Sequence, residues 1–316
     1  MVDSRFRNAL FYIIFCVVFS PSAALAEISP KQLLVNLFEP SRSVGYYASY
    51  VNIRPSGMQY SDVYSGLINE EVYKRTILSG DANVEIVSTP AMVTYFDANA
   101  KEEISYPKRF IQSELRLLSS NLEKAHHYYS INVVENAERV AERETYRLSV
   151  MAKLPGRYSR VYWIDKSNFI TLRVDVLDVD GQLIERIKCT SLLLKEPEEH
   201  TLAKSKDNEI FRQLRVINHS NHESIKFGWL PDEFEMVSSI KLLNNDAIET
   251  QYMLSDGFSK VTVVVNPRRA QNNDIEANHE RDAKQKFVTN IASQQVVVKG
   301  DMPLGVVKKI ATNLSR

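Results

Sequence analysis

The stretch DVLDVDGQ (175–182) sets Asp175, Asp178 and Asp180 ahead of Gly181, three carboxylates at near-alternate spacing before a turn residue. Such a set could hold a hard cation, serve acid–base catalysis, or shape a turn. A calcium loop of the EF-hand kind takes ligands at positions 1, 3 and 5, glycine at 6 and a bidentate glutamate at 12. With Gly181 at position 6, Val176 falls at position 1 and Ile187 at position 12, so both essential carboxylates are missing. A hairpin accounts for the residues better, because Asp-Gly favours a two-residue loop between alternating strands. An Asp180-Gly181 loop pairs Val179 with Gln182, Val174 with Ile187 and Leu172 with Cys189 on one side. On the other side Asp175 meets Arg186, a cross-strand pair of opposite charge. That register makes Cys189 a buried small hydrophobe and not a nucleophile. SDGF (Ser255–Phe258) follows the same logic: an Asp256-Gly257 loop places Ile248, Thr250 and Tyr252 opposite Val265, Val263 and Val261.

Little else in the chain competes for chemistry. G-x-S-x-G, H-E-x-x-H, G-x-G-x-x-G and Walker A are all absent. The histidines are His126, His127, His200, His219, His222 and His279. His219 and His222 are close enough to share a metal, but they lie in a polar stretch with no cysteine near, which reads as solvated histidine. No catalytic residue, metal ligand or cofactor is assigned. Formal net charge is zero, which gives no reason to expect nucleic acid. Carboxylate pairs need no local motif, so enzymes are disfavoured, not excluded.

The elements that must position any site begin with a targeting signal. Arg5 and Arg7 precede the apolar run Ala9–Phe19; Pro21 breaks it, and Ala24-Leu25-Ala26 offers a small-x-small cleavage site. Cleavage after Ala26 leaves Cys189 alone, so no internal disulfide can form, which suits a bacterial periplasm. Pro30 opens a helix with Leu33, Leu34, Leu37 and Phe38 on one face. Strands are then expected at 46–53, at 58–66 after an RPSG turn (Arg54–Gly57), and at 72–78, 84–88, 92–96, 128–134, 145–152, 160–165, 170–179 and 182–194, with a helix at Phe110–Leu122. Residues 196–224 are polar and read as a linker holding a short ordered piece, IFRQLRVI. A second β-rich block follows, and Met302-Pro303 opens a final helix with Val306, Val307, Ile310 and Leu314 on one face. The order is an antiparallel meander with helices beside it, an α+β chain and not a βαβ alternation.

Several segments carry a family resemblance. YSRVYWIDKSNFITLRVDVLDVDGQLIERIK (158–188) resembles the Y-x-x-x-x-W-x-D…R-V-D-x-L-D-x-D-G-x-x-x-E segment of the RseB/MucB family, periplasmic regulators of the envelope-stress sigma-E factor. RVAER (139–143) resembles the segment before that hairpin, and EEVYKRTILSG (70–80) is a degenerate match to E-R-L-x-x-L-x-G. WLPDEF (229–234) resembles W-L-P-x-G-F, YMLSDGFSKVTVVVN (252–266) resembles the Y-S-D-G hairpin, and VVVKGDMPLGVVKKIATNL (296–314) resembles the V-x-G-E-L-P end. The matches run in family order across nearly the whole mature chain. Val63-Tyr64-Ser65 and Asp81-Ala82-Asn83 depart from the family's histidine and Arg-Glu, so the N-terminal half is the more divergent.

Between the signal peptide (1–26) and the linker (196–224), the resemblance implies a LolA/LolB-like domain (27–195), and after the linker a smaller C-terminal domain (225–316). The first domain is expected as a curved antiparallel sheet, an unclosed barrel covered by helices. The second is expected as an antiparallel sheet with a helix. It also implies binding to the periplasmic part of a membrane anti-sigma factor of the RseA/MucA kind, shielding from DegS-like cleavage, and relief by lipid or lipopolysaccharide. Aromatic residues on the first sheet could line an apolar ligand site. The amphiphile is therefore expected near Tyr46, Tyr95, Trp163, Leu172 and Val174, and the partner near Trp229, Leu230, Phe234 and Phe258. Ordinary core packing is the competing account of each. A LolA-like carrier without a partner, or a periplasmic hydrolase, are the rival functions; homo-oligomerisation stays open.

Overall fold

The computed structural model describes residues 28–38, 44–80, 83–108, 123–203, 212–217, 225–244, 247–266, 282–292 and 294–315. The signal segment, the helix expected at Phe110–Leu122, and His219, His222 and His279 lie outside the described residues. Within the described residues, sheet dominates.

Helix α1 (Pro30–Phe38) precedes β1 (Tyr46–Arg54), β2 (Gly57–Ile68), β3 (Glu71–Ser79), β4 (Val84–Ser88), β5 (Met92–Asp97) and β6 (Glu102–Pro107). Next come β7 (Tyr129–Val140), β8 (Arg143–Ala152), β9 (Ser159–Asp165), β10 (Thr171–Leu177) and β11 (Leu183–Leu194). Both hairpin series grow outward from one central pair. β1 pairs with β2 on one side and with β11 on the other, giving the antiparallel order β6-β5-β4-β3-β2-β1-β11-β10-β9-β8-β7. β6 and β7, the last strands of the two hairpin series, have no ladder between them among the described residues, so the sheet curves without closing. Leu33 and Leu34 of α1 are buried in one cluster with Tyr129, Ile131, Leu148, Val150 and Ile164. The short helix α2 (Glu199–Leu202) lies against β2 and β3. The segment leading into it lies close over Gly66, where an added Cβ would meet Glu196 and Pro197 and stand 3.2 Å from Leu202 of the helix.

The C-terminal block contains β13 (Lys226–Phe227), β14 (Glu235–Asn244), β15 (Ala247–Ser255), β16 (Lys260–Val265), β17 (Gln285–Ile291), β18 (Gln294–Gly300), α3 (Leu304–Thr312) and β19 (Leu314–Ser315). The order β14-β15-β16-β18-β17 is antiparallel. Val261, Val263, Val265, Val296 and Val298 meet Val307 and Ile310 of α3 in one dry cluster. Alternating valines face the core and the helix packs its apolar stripe on them.

Between the blocks, β12 (Arg212–Ile217) pairs twice. Residues 212–214 run parallel to β6 from Glu102 to Ile104, and residues 215–217 run antiparallel to β14 from Lys241 to Leu243. Arg212 adds an ion pair to the buried Glu102. The strand lies inside the stretch read as a linker and coincides with the end of its ordered piece.

Both Asp-Gly loops differ from the expected two residues. At the first, Asp178 N–H donates to Gln182 O (2.9 Å) and Gly181 N–H to Asp178 O (3.1 Å), leaving Val179, Asp180 and Gly181 as a three-residue loop. Gly181 takes a left-handed φ of 77°. The extra residue is absorbed by a bulge at Ile184, so Val174↔Ile187 and Asp175↔Arg186 pair as expected. At the second, four residues, Asp256–Ser259, form the loop, and Thr250, Tyr252 and Leu254 pair with Val265, Val263 and Val261. A shift of two residues keeps the same side chains inward. The cause is Asp256, whose carboxylate accepts the N–H groups of Phe258 (3.0 Å) and Ser259 (2.7 Å) and so holds a wider loop.

Candidate functional site

The aspartate run that suggested chemistry turns out to be a clamp and a turn. Asp175 accepts Arg173 Nε (2.9 Å) and Nη2 (2.5 Å), and also Arg186 Nε (2.8 Å) and Nη2 (2.7 Å). Two bidentate guanidinium forks fill its oxygens. Burial pushes the Asp175 carboxyl up, and the Arg186 and Arg173 hydrogen bonds outweigh it, so the net shift is downward. Arg173 also stacks over the Trp163 ring, 3.9 Å from its centroid. Trp163, first, and then Arg147 and Arg173 hold Glu138 below the usual glutamate range. Asp178 spends its carboxylate on the N–H groups of Asp180 (2.9 Å) and Gln182 (2.8 Å). Every oxygen of Asp175 is thus committed, and no group of His, Cys, Asp or Glu among the described residues is arranged to hold a metal ion.

Tyr46, Trp163 and Leu172, three of the residues expected to meet an amphiphile, share one apolar cluster with Ala48, Val63, Ile170 and Cys189. Leu172 and Cys189 are fully buried. Burial raises the Cys189 thiol to about 11, against a weaker lowering by the Ser191 backbone. Tyr95 stands apart on β5, opposite Ile86 and Ile104, with its ring edge-on to Tyr106 at 5.7 Å. Val174 is half-buried between Ile187 and Tyr162 and lies outside that cluster.

The four residues expected to meet a partner divide across the domain junction. Trp229, Leu230 and Phe234 belong to the C-terminal cluster, and Lys309 lies 3.9 Å over the Trp229 ring. Phe258 crosses over. It is buried in the α1–β7–β9 cluster, edge-on to Tyr129 at 5.0 Å.

Around Phe258 the two domains are joined by buried polar contacts that the sequence did not announce. Asp256 Oδ2 accepts Arg157 Nε (2.9 Å) and the Tyr129 hydroxyl (2.8 Å), and the Arg157 and Asp256 side chains are only 5% and 3% exposed. Arg157 Nη2 donates to the Asp232 carbonyl (2.5 Å). Arg160 donates to Asp301 Oδ2 (2.6 Å) and Ser259 Oγ (3.3 Å). Burial, then Asp256, pushes the Tyr129 hydroxyl far above its ordinary pKa. Ala283 packs with Tyr158, Val176 and Ile184, and Asp282 Oδ1 accepts Ser56 N–H at 3.2 Å. One signal pointed here: Arg160 is in phase with Tyr162 and Ile164, a charge on the inward period of a strand. Arg157 carries no such mark.

Comparison with known proteins matches this arrangement at both halves. The MucB/RseB N-terminal domain family matches residues 29–214, and the MucB/RseB C-terminal domain family matches residues 219–315. The chain is 22% identical over 298 residues to the sigma-E factor regulatory protein RseB of Haemophilus influenzae, covering 93% of each. It is 23% identical over 309 residues to the protein of that name from Escherichia coli (strain K12), covering 94% of each. The fold is similar to that of MucB in the complex structure of Pseudomonas aeruginosa MucA/MucB, with a TM-score of 0.66, 18% identity and coverage of 90% of this chain and 98% of that one. It is equally similar to a crystal structure of MucB, with a TM-score of 0.64 and 19% identity over 90% of this chain and 97% of that one. With both domain families matched in order over nearly the whole described length, the chain belongs to the MucB/RseB family.

Proposed function

We propose that this protein is a periplasmic negative regulator of a sigma-E envelope-stress response. It binds the periplasmic part of a membrane anti-sigma factor, shields it from the first, DegS-like cleavage, and is released by lipid or lipopolysaccharide. The observation that carries this reading is the match of both domain families, one after the other, in a chain similar to RseB proteins and to MucB solved with MucA. The described residues fit a binding protein: two β-rich bodies held by a polar junction, with acidic side chains engaged in structure.

The mechanism is linkage. Partner and amphiphile favour different arrangements of the two domains, so each weakens the other. Trp229 and Leu230, only partly buried, are the nearer candidates for partner contact. Phe234 and Phe258 are buried and become available only if the junction opens. For the amphiphile, Tyr95 and Val174 are half-buried, whereas Tyr46, Trp163 and Leu172 are reached only by parting their cluster. Cleavage after Ala26 would deliver the chain to the periplasm. A carrier of the LolA kind is the alternative, and the C-terminal domain has no place in it.

The test is a titration of the immobilised mature protein with the periplasmic segment of the cognate anti-sigma factor. Binding at micromolar concentration is expected, and lipopolysaccharide should weaken it. No binding would sink the regulator reading, and an affinity indifferent to lipopolysaccharide would reject the linkage.

A further inference from the structure

The β1–β2 hairpin carries an apolar patch that the sheet does not use. Ile53 pairs with Met58 and Val51 with Tyr60, so all four project from one face. Ile53, Met58 and Tyr60 are 42%, 63% and 55% exposed. The next strand continues the same face with cations: Val51 pairs with Lys188 and Ile53 with Arg186 on β11. Arg186 is held by Asp175, while Lys188 is exposed and makes no ion pair among the described residues. The face therefore runs from exposed Met and Tyr through Val and Ile to Lys and Arg within three strands. Asp62, the next residue inward on β2 with this orientation, is engaged by Ser49 Oγ at 2.6 Å.

The surroundings select the occupant. β1 and β11 have neighbours on both sides, and so does β2 from Tyr60 onward; only the three residues 57–59 keep an open edge, too short for a peptide to add as a further strand. Three exposed side chains fall far short of the roughly 800 Å² that each partner gives to a stable protein interface. A two-fold contact between copies of this face would also set Lys188 near its own kind. An anionic lipid surface suits it: apolar side chains enter the acyl boundary, Tyr60 sits at the headgroup level, and Lys188 meets phosphate.

We infer that the β1–β2 hairpin is a docking surface for an anionic lipid layer, made by Ile53, Met58 and Tyr60 beside Lys188. This goes beyond the amphiphile release proposed above and stands without it, since the protein can rest on a lipid surface whether or not lipid displaces a partner.

The experiment is co-sedimentation of the mature full-length protein with vesicles of equal parts phosphatidylcholine and phosphatidylglycerol, and with vesicles of phosphatidylcholine alone. Binding to the anionic vesicles that weakens with added salt is expected. The double variant Met58→Ser/Tyr60→Ser should lose about tenfold or more in affinity, and Lys188→Glu several-fold. Met236→Ser, at an exposed apolar residue on the other domain, should change nothing. Far-ultraviolet circular dichroism checks that each variant is folded. Undiminished binding by the double variant, or equal binding to both vesicle types, overturns the inference. So does a change in sedimentation equilibrium mass on mutating the hairpin without vesicles, which assigns the patch to a second copy. Measuring anti-sigma segment binding in the same variants separates the two readings: it should be unchanged by all three.

Discussion

At the scale of single residues, Asp175 is the most constrained carboxylate of its run. It sits 7% exposed between two guanidiniums. Replacing it by Ala strands Arg173 on the Trp163 ring and leaves Arg186 without its partner, at a cost of roughly 2–4 kcal/mol. Urea unfolding would measure it, and a loss under 0.5 kcal/mol would show the clamp to be ornamental. The pH dependence follows from the direction of the shift. The folded-state pKa of Asp175 lies below its unfolded value, so its contribution is fully present above the unfolded carboxylate range near 4. It fades as pH falls through the lower, folded value. Wild-type stability should therefore drop on acidification below about pH 4 more steeply than that of Asp175→Asn.

At the scale of elements, the sequence was informative about strands and about the turn at Arg54–Gly57, and misleading about the Asp-Gly loops. Val84–Ser88 was read with its observed ends, and Tyr46–Ile53, 160–165 and 182–194 to within a residue, because β-branched and aromatic runs declare themselves. β6 gave no signal: Glu102 and Pro107 bound a short strand whose sheet position comes from β5 and β12, not from its own pattern. β17 lies against a charged approach and hides for the same reason. Turn length went astray because Asp-Gly was counted as the loop. Among the described residues, two-residue loops stand instead at Pro55-Ser56, Asn69-Glu70 and Ala141-Glu142, the last two with left-handed φ at both positions. What set the Asp-Gly loops instead was side chain to backbone bonding by Asp178 and Asp256. A paired substitution tests this. Asp178→Ala removes two N–H acceptors and should cost about 1–2 kcal/mol, while Asp180→Ala, exposed at the apex, should stay within about 0.5 kcal/mol. Equal costs, read from thermal unfolding, would reject the assignment of the turn to Asp178.

At the scale of the whole molecule, the junction decides whether two domains behave as one. Of the candidate site, the sequence had shown the family and the residue types but not their company. Phe258, expected near a partner, fills the N-terminal cluster in this structure, where the loop after β15 carries it across the junction. Arg157 and Asp256 form the ion pair there with both side chains nearly dry, so removing one leaves the other buried and uncompensated. Asp256→Ala alone should cost roughly 3–5 kcal/mol, and the Arg157→Met/Asp256→Leu pair much less, giving a coupling of about 1–3 kcal/mol in a double-mutant cycle. Calorimetry should then show one transition for the wild type and two for Asp256→Ala. Additive costs would mean that the pair does not couple the domains.

The strand shared by the two sheets has a consequence for how the chain can change length. β12 gives its first three residues to a parallel ladder and its last three to an antiparallel one, with no spacer between them. Inserting one residue between Leu214 and Arg215 would leave each ladder able to form, yet it would invert the inward and outward sides of one sheet relative to the other. Deleting two would keep the sides but draw the sheets together by about 7 Å, the rise of two strand residues, and pull apart the ion pairs at the junction. β12 thus acts as a ruler: the two halves can diverge in sequence freely, while the count of residues between their ladders is fixed.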